Sequence, residues 1–585
     1  MAVTDMKTAS KVGGSFLIER DPPDGVLIPE AFNDELKMIG HTAQQFVERE
    51  ILPDLERLEA LDYELTLAKL RKAGELGLLA IDVPEVFGGL ELAKTTSMLV
   101  TEKMARSGSF NVTFNAHTGI GTLPLVYFGT PEQQEKYLPD LASGRKIAAY
   151  CLSEPGSGSD SLAAKTSAVL DEAGTHYLLN GTKMWISNAG FADLFTIFAK
   201  VDSQHFTAFL VDGDTPGLSL GAEEKKMGIK GSSTRQVILE NAAVPKENLL
   251  GEIGRGHLIA FQILNLGRLK LAVGAVGGCK EMLRLACSYA QEREQFGSAI
   301  ADFGLIKEKI GRMASRTFAL ESASYRLVGS LDRRLAERRT QEEQLDAIGE
   351  YVVEYSFIKV AGSEILDEVI DETLQIYGGN GFSAEYPIER AYRNSRVNRI
   401  FEGTNEINRL LTSGQLLKRA MQGKLELMGA TQEAVQGEPL QEVDAPEHLL
   451  DAYLAVENLK RATLLVAGIG AMAYLQEVEK EQEVMARTAD MVSGVYLAES
   501  ALLRAERLAG EGSGDIAALL ARLFTFEIID QARLQALEAL RRIPEGSAMK
   551  SKLLAYLADH GVDLIDLRRQ AAAASYQVGG YPLGS

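Results

Sequence analysis

Between Gln375 and Leu410 the chain reads QIYGGNGFSAEYPIERAYRNSRVNRIFEGTNEINRL, and Glu402 stands near its centre. Ile400 and Phe401 precede this glutamate, and Gly403 and Thr404 follow it. An apolar setting disfavours the charged carboxylate and raises its pKa toward neutrality, which suits a general base. Gly378, Gly379, Gly381 and Gly403 let backbone approach a flat ligand closely or take dihedrals that other residues refuse. The same residues fit a loop between two core helices in which Glu402 and Thr404 only start the second helix. The stretch by itself leaves both readings open.

Outward from this stretch, composition sets the bounds. The chain has 585 residues, 46% hydrophobic and 24% charged, which is ordinary for a globular protein of several domains. A formal net charge of -20 gives a negative surface that repels polyphosphate backbones, so no nucleic-acid partner is expected and any anionic ligand must be met locally. Cys151, Cys279 and Cys287 form no CxxC pair and no His/Cys cluster, so neither a metal site nor a disulfide scaffold is expected. The first residues, MAVTDMKTASKVGGSF, lack the apolar run of a signal peptide and the arginines of a transit peptide. No stretch reads as a bilayer span. The expectation is a soluble or peripherally attached protein, in the cytoplasm or, as a mature form, in an organellar matrix.

Periodicity divides the chain into an α+β protein that is mainly α. Residues 1–28 read as an N-terminal extension and 29–149 as a helical domain, with apolar residues at helical spacing in AFNDELKMIGHTAQQFVEREILPDLERLEAL. Residues 150–255 read as a middle antiparallel β domain, because the period falls to two in HYLLNGTKMWIS, LFTIFAKV, FTAFLVD and RQVILEN; Asn180 with Gly181 is a hairpin signal. Helical spacing returns over 256–422, a bundle that carries Glu402. A polar linker over 423–443 and an added helical domain over 444–585 follow.

Four further features stand out. YCLSEPGSGSD, from Tyr150 to Asp160, offers N–H and O–H groups for a phosphate or a flavin edge, or serves as a flexible linker. Gly119 and Gly121 interrupt a helical pattern at about 1 kcal/mol each relative to alanine, either for close helix packing or to leave room for something long and apolar. GLSLG, from Gly217 to Gly221, matches a nucleophile pattern in letters only, since no helix follows Ser219. Arg268 and Arg293 are the fixed cations available for anionic groups, or solvated helix charges.

YCLSEPGSGSD, MWISNAG, EREQFG, QIYGGNGF and RIFEGTNEINRL occur in an order and spacing that resemble the acyl-CoA dehydrogenase family, from about Ile28 to Leu417. The GGSFL start and the added C-terminal helical domain look like its very-long-chain branch. The resemblance implies an FAD-dependent enzyme that takes a proton and a hydride from adjacent carbons of a fatty acyl-CoA, in fatty acid β-oxidation, with electron-transfer flavoprotein as acceptor. Glu402 matches the family's base. Some relatives place the base just before the arginine of LGRLK, a position that is Gly267 here.

By the same resemblance, Tyr150, Leu152, Ser153, Gly158 and Ser159 line the flavin, with Ser159 also near the CoA moiety. Trp185, Ile186 and Ser187 contact the ring. Arg293, Glu294, Gln295 and Phe296, with Gln375, Ile376, Gly378 and Gly379, reach the FAD of a neighbouring subunit, which implies a homodimer. Thr404, Asn405 and Glu406 close over FAD, and Arg268 and Gly403 contact substrate. Gly119 and Gly121 would remove the floor of the acyl slot, and at roughly 0.8 kcal/mol per buried methylene this implies long-chain substrates. An acyl-CoA oxidase and a respiratory assembly or scaffold protein are the alternatives on this fold. GQLLKRAMQGKLELM, from Gly414 to Met428, fits a peripheral membrane contact as well as a connector packed on the protein.

Overall fold

The computed structural model describes residues 11–338 and 340–583, so residues 1–10 of the expected N-terminal extension lie outside the described residues. The described residues form two compact units. One comprises Asn33–Lys270 with Glu337–Gly349; the other comprises the chain up to Phe32, Leu271–Ala336 and the chain from Glu350 onward.

The first unit opens with helices α1 (Asp34–Phe46), α2 (Leu55–Glu59), α3 (Tyr63–Glu75), α4 (Lys94–Met104), α5 (Ser109–Ala116), α6 (Leu123–Phe128) and α7 (Pro131–Ala142). Their starts are written in the sequence: the side chains of Asn33 and Asp62 accept N–H groups of the first turn, and Thr130 with Gln133 forms a capping box behind Pro131. Phe46, Val47, Leu70, Met104, Phe110 and Phe114 bury their side chains in one core.

Strands β1 (Ala148–Cys151), β2 (Ser167–Leu170), β3 (His176–Ser187), β4 (Leu194–Val201), β5 (His205–Asp212), β6 (Leu218–Leu220), β7 (Thr234–Pro245) and β8 (Leu249–Leu250) follow. They form a sheet ordered β6-β7-β3-β2-β4-β5-β8, with β1 also on β4. Five pairings are antiparallel, as the alternating pattern predicts. Two are parallel: β1 runs beside Leu194–Ile197 and β2 beside Lys200–Val201. Both therefore occupy the β4 edge opposite β5, and the chain between them has to leave the sheet.

The expected hairpin at Asn180–Gly181 is corrected. Both residues lie inside β3, where the register against β7 shifts between Leu179 and Gly181, and Gly181 takes φ 152°. This is a bulge, in which a Cβ on Gly181 would sit 2.9 Å from the Thr166 Cα. The turn lies earlier, where Asp171 accepts the N–H groups of Thr175 and His176. Ser219 sits exposed on the edge strand β6 with no helix after it.

Helix α8 (Gly256–Glu292) passes from the first unit to the second. It corrects the expectation of no bilayer-length stretch: by length and composition it qualifies, with mean hydropathy 1.4, yet 67% of that window is buried inside the protein. Beyond it come a two-stranded hairpin of β9 (Glu294–Gln295) and β10 (Ser298–Ala299), then α9 (Gly304–Ala336), α10 (Gln341–Gly349), α11 (Val352–Tyr377), α12 (Pro387–Ser395) and α13 (Asn405–Met421). Helices α14 (Leu427–Gln436), α15 (Leu450–Tyr474), α16 (Gln482–Arg507), α17 (Gly514–Arg542), α18 (Lys550–Tyr556) and α19 (Leu564–Val578) complete the chain. The expected linker is thus partly helix. Tyr556 Oη donates to the Ala434 carbonyl, and Lys552 Nζ to those of Val435 and Gly437, so the end of α14 is tied down rather than loose. In the stretch Gly414–Met428, Leu416 and Leu425 are buried while Met421 and Met428 are exposed.

Residues 11–32 are a strap on this second unit. Phe16 meets Phe357 and Tyr496 edge-on, at 5.7 and 4.8 Å between ring centroids. Gly14, at φ 84°, brings its N–H to 2.6 Å from Glu354 Oε1. Farther along, the Arg504 guanidinium, fully buried, donates to Glu30 of the strap and to Glu321 of α9. Burial opposes ionisation of Glu321, but Arg504 and Lys280 outweigh it and hold the carboxyl down to about 2. Its contribution to stability is complete above the unfolded carboxylate pKa of about 4.3 and is lost as pH falls toward the folded value. Arg504→Met removes the cation that Glu30 and Glu321 share, leaving Glu321 with Lys280 and the Tyr581 hydroxyl, and denaturant unfolding at neutral pH is expected to show a loss of about 3–5 kcal/mol. The difference from the parent protein should shrink as the medium is acidified below the carboxylate range.

Candidate functional site

In the second unit, Glu402 lies half-buried on the turn before α13, with φ 58°, and Gly403 follows with φ 81°. Two successive left-handed residues are costly when the first carries a side chain. The protein holds them by their carbonyls. Lys359 Nζ, on α11 and wholly buried, donates to the Gly403 carbonyl at 2.7 Å and to Asn405 Oδ1 at 2.9 Å. Asn408 Nδ2 donates to the carbonyls of Glu402, Gly403 and Thr404 at 3.3, 2.8 and 3.1 Å. Thr404 caps α13 by accepting the Ile407 N–H. The expected capping role therefore falls to Thr404.

Asn405 was expected to face the cofactor, but it is buried and its amide donates to Ser363 and Glu364. Glu406 is exposed, and the backbone N–H of its own residue, with the Thr404 hydroxyl, holds its carboxyl below the usual range. Lys359 and Asn408 are the working residues that motif reading missed. A lone lysine in the apolar run SFIKVAGSEIL was the available signal for Lys359.

The same unit carries the segments assigned to a neighbouring FAD. Arg293, Glu294, Gln295 and Phe296 lie on the β9–β10 hairpin, all exposed, Phe296 to 96% and at φ 55°. Gln375 is exposed at the end of α11, Ile376 is buried, and Gly378 and Gly379 have no atom within 4 Å of a built Cβ. The stacked rings of Tyr289 and Tyr377, 4.0 Å apart, and the Asn380 amide on Tyr289 Oη tie the two segments together.

In the first unit, the chain that leaves the sheet between β1 and β2 is SEPGSGSD. Its neck is a buried ion pair: Lys183 Nζ lies 2.6 Å from Glu154 Oε1 and donates also to the Leu152 carbonyl. Burial pushes the Glu154 carboxyl up, and Lys183 outweighs it and holds the group below its usual range. Glu154 further accepts the N–H groups of Lys165 and Thr166. Within the loop, Gly156 and Gly158 have open space where a Cβ would be, and Ser159 is exposed.

The Met184 N–H donates to the Ser153 carbonyl, which sets Ser153 beside a bulge in β3. At that bulge Trp185 adopts φ 62° and leaves 56% of its surface exposed. A strained, solvent-facing indole beside a loop of bare amides is a platform for a planar ligand. Ile186 points into the sheet core, so only its backbone is available there, while Ser187 is half-buried and Tyr150 is buried with its hydroxyl 3.4 Å from the Ala260 carbonyl.

The two glycines of the expected slot floor behave differently. Both lie on a π turn, His117–Gly121. A Cβ on Gly119 would meet Lys270 Cδ at 3.4 Å, an ordinary contact, whereas one on Gly121 would come within 2.9 Å of Ala148 Cβ and of two backbone oxygens. Gly121 is thus required by close packing on β1, and the reading of it as open floor is corrected. Arg268 is buried, donating to Asn265 Oδ1 at 3.0 Å. Among the described residues no cluster of His, Cys, Asp and Glu could hold a metal ion.

Gly121→Ala is expected to lower stability by about 1–3 kcal/mol in thermal unfolding, and Gly119→Ala to leave it nearly unchanged. Lys359→Met strips the Gly403 carbonyl and Asn405 of a buried donor. We expect it to keep the fold and to lower turnover at least about tenfold through loss of loop geometry.

Profiles described as acyl-CoA dehydrogenase N-terminal, middle and C-terminal domains match residues 33–145, 149–242 and 254–417, and a further acyl-CoA dehydrogenase C-terminal domain matches 458–557. A probable acyl-CoA dehydrogenase of Bacillus subtilis (strain 168) is 48% identical over 583 residues, 97% of this chain and 98% of that protein. The mitochondrial very long-chain specific acyl-CoA dehydrogenase of Homo sapiens is 35% identical over 522 residues, 83% of this chain and 77% of that protein. The crystal structure of an acyl-CoA dehydrogenase complexed with FAD from Bacillus anthracis superposes with a TM-score of 0.94 at 46% identity, covering 98% of this chain and 100% of that one. Matched in order through all four domains and aligned nearly end to end with such a relative, the chain belongs to the acyl-CoA dehydrogenase family.

Proposed function

We propose that this protein dehydrogenates a long-chain fatty acyl-CoA to the trans-2-enoyl-CoA in fatty acid β-oxidation, as an FAD-loaded homodimer that passes its electrons to electron-transfer flavoprotein. The observation that carries the reading is the Glu402 turn, in which a carboxylate is presented on a left-handed backbone fixed by buried Lys359 and Asn408. Glu402 removes the proton from the carbon next to the thioester carbonyl. FAD, when bound, supplies the acceptor for the hydride leaving the adjacent carbon.

The residues fit that cofactor: Trp185 offers a face to the ring, Ser153 and the bare amides about Gly156 and Gly158 offer hydrogen bonds, and the exposed set from Arg293 to Phe296 with Gly378 and Gly379 suits contact with a second copy. A developing negative charge on the thioester oxygen needs preorganised N–H donors, and the backbone beside Glu402 is rigid enough to supply one. Similarity to a very long-chain specific enzyme supports the chain-length assignment, and the intact glutamate supports an enzyme over a scaffold.

Anaerobic titration of the purified yellow protein with saturated acyl-CoAs of graded length tests all of this together. Flavin bleaching is expected, with the best response at long chains. Glu402→Gln should retain its FAD spectrum and bleach at least about a hundredfold more slowly. Retention of fast bleaching by that variant would move the base elsewhere, and an optimum at short chains would overturn the substrate assignment. Slow reoxidation in air is expected; rapid peroxide formation would make the protein an oxidase.

A further inference from the structure

The end of α8, from Lys280 to Glu292, runs directly into the β9–β10 hairpin that carries Arg293 to Phe296. That hairpin has little of its own to fix it. Its two short strands form a sheet by themselves, with Phe296 against Phe303 at 6.1 Å between ring centroids, and a two-stranded ribbon alone is marginal. Its direction is inherited from the helix before it. At roughly 100° per residue, Lys280, Arg284, Cys287 and Gln291 share one face of α8, while Leu285 and Tyr289 lie roughly 140–180° round from them. The second face meets α11: Tyr377 Oη donates to the Leu285 carbonyl at 3.3 Å, and its ring stacks on Tyr289 at 4.0 Å.

The first face is covered by the far end of the chain. Gln291 Nε2 donates to the Tyr576 carbonyl at 3.2 Å. Helix α19 stops at Gly579, φ 69°, where the N–H groups of Gly579 and Gly580 return to the carbonyls of Tyr576 and Ser575 and turn the chain. A Cβ on Gly580 would lie 3.4 Å from the Arg284 Cα, so backbone rests on the helix there. Tyr581 is buried, with its ring 5.2 Å from Lys280 Nζ and its hydroxyl donating to Glu321 Oε2 of α9 at 2.6 Å. The start of α19 is fixed as well: a Cβ on Gly311 of α9 would collide with the Arg568 backbone, and the Arg568 guanidinium meets Glu527 and Glu308 at 2.7 and 3.2 Å. The covering segment is thus anchored on both sides of its contact with α8.

We propose that the C-terminal segment Tyr576–Tyr581 is a clamp that positions the flavin-contacting hairpin. With Tyr377 on one face of α8 and this segment on the other, the end of the helix is held from both sides, and Arg293 to Phe296 are presented to the FAD of a second copy in one orientation. The inference rests on the reading of that hairpin as a contact for a second copy's cofactor. Tyr581 and Gln291 act through α8 and are positioning residues. Their effect is on binding: a hairpin already ordered before FAD arrives loses less conformational freedom when it binds, and affinity gains by that difference.

Dilution of the FAD-loaded full chain, with release followed by the rise in flavin fluorescence, measures FAD affinity, and turnover assayed with and without added FAD separates lost cofactor from lost fold. Tyr581→Ala is expected to hold FAD at least about tenfold more weakly, and Gln291→Ala, at the surface, about two- to tenfold more weakly. Added FAD should recover the turnover that Tyr581→Ala loses. Tyr581→Phe keeps the ring on Lys280 and should hold FAD within about twofold of the parent. A parent protein that binds no FAD overturns the flavin reading as a whole. A parent that binds it, with Tyr581→Ala or, where that variant does not fold, Gln291→Ala binding it as tightly, overturns the clamp alone; so does equal weakening by Tyr581→Phe and Tyr581→Ala, which would trace the effect to Glu321 instead of to packing on α8.

Discussion

A buried lysine holding a backbone carbonyl is the interaction on which the working parts of this protein depend. Lys359 has no exposed surface, and its ammonium is divided between the Gly403 carbonyl and Asn405. An ammonium is taken out of water only where several acceptors surround it, so its position is dictated by the turn as much as it dictates the turn. Glu402 inherits that rigidity. A glutamate at φ 58° is strained, and the strain is tolerated because Asn408 holds three successive carbonyls from the other side.

The same device recurs in the other unit. Lys183, also without exposed surface, is divided between the Leu152 carbonyl and Glu154 at the point where the SEPGSGSD loop leaves the sheet. Topology explains why a loop is there at all. β1 and β2 lie in line along one edge of β4, with Cys151 opposite Ile197 and Ser167 opposite Lys200, so residues 152–166 have only Phe198 and Ala199 to run beside and are pushed out of the sheet plane. Glu154 closes the neck by accepting two amides on the returning chain. The loop amides and hydroxyls are then presented on a fixed base, next to an indole turned outward by a bulge.

Ion pairs of a different kind position the N-terminal strap. Arg326 and Arg504, on α9 and α16 and both fully buried, reach Asp21 and Glu30 of residues 11–32. Such pairs contribute little net stability over apolar packing, but breaking one leaves a charge buried, which penalises any other placement of the strap. The result is that a segment far away in sequence becomes part of the C-terminal unit.

Local chemistry made much of this legible in the sequence alone. The change from helical to alternating periodicity near Tyr150, the caps at Asn33, Asp62 and Thr130, the absence of a helix after Ser219 and the placement of Glu402 before a helix all depend on residues within a turn or two of one another. Other features depend on residues brought together from afar, and these only the tertiary structure decided. Asn180–Gly181 became a bulge because Thr166 packs against it, Gly121 proved to be a packing glycine because Ala148 lies over the π turn, and α14 formed where a linker was expected because α18 ties down its carbonyls. Ile186 and Asn405, read as site residues from their motifs, were turned into the core by strand pairing and by Ser363 with Glu364. Motif and periodicity record what each segment prefers by itself; which side chain faces a ligand and which is spent on holding a loop depends on the partners that desolvation makes unavoidable.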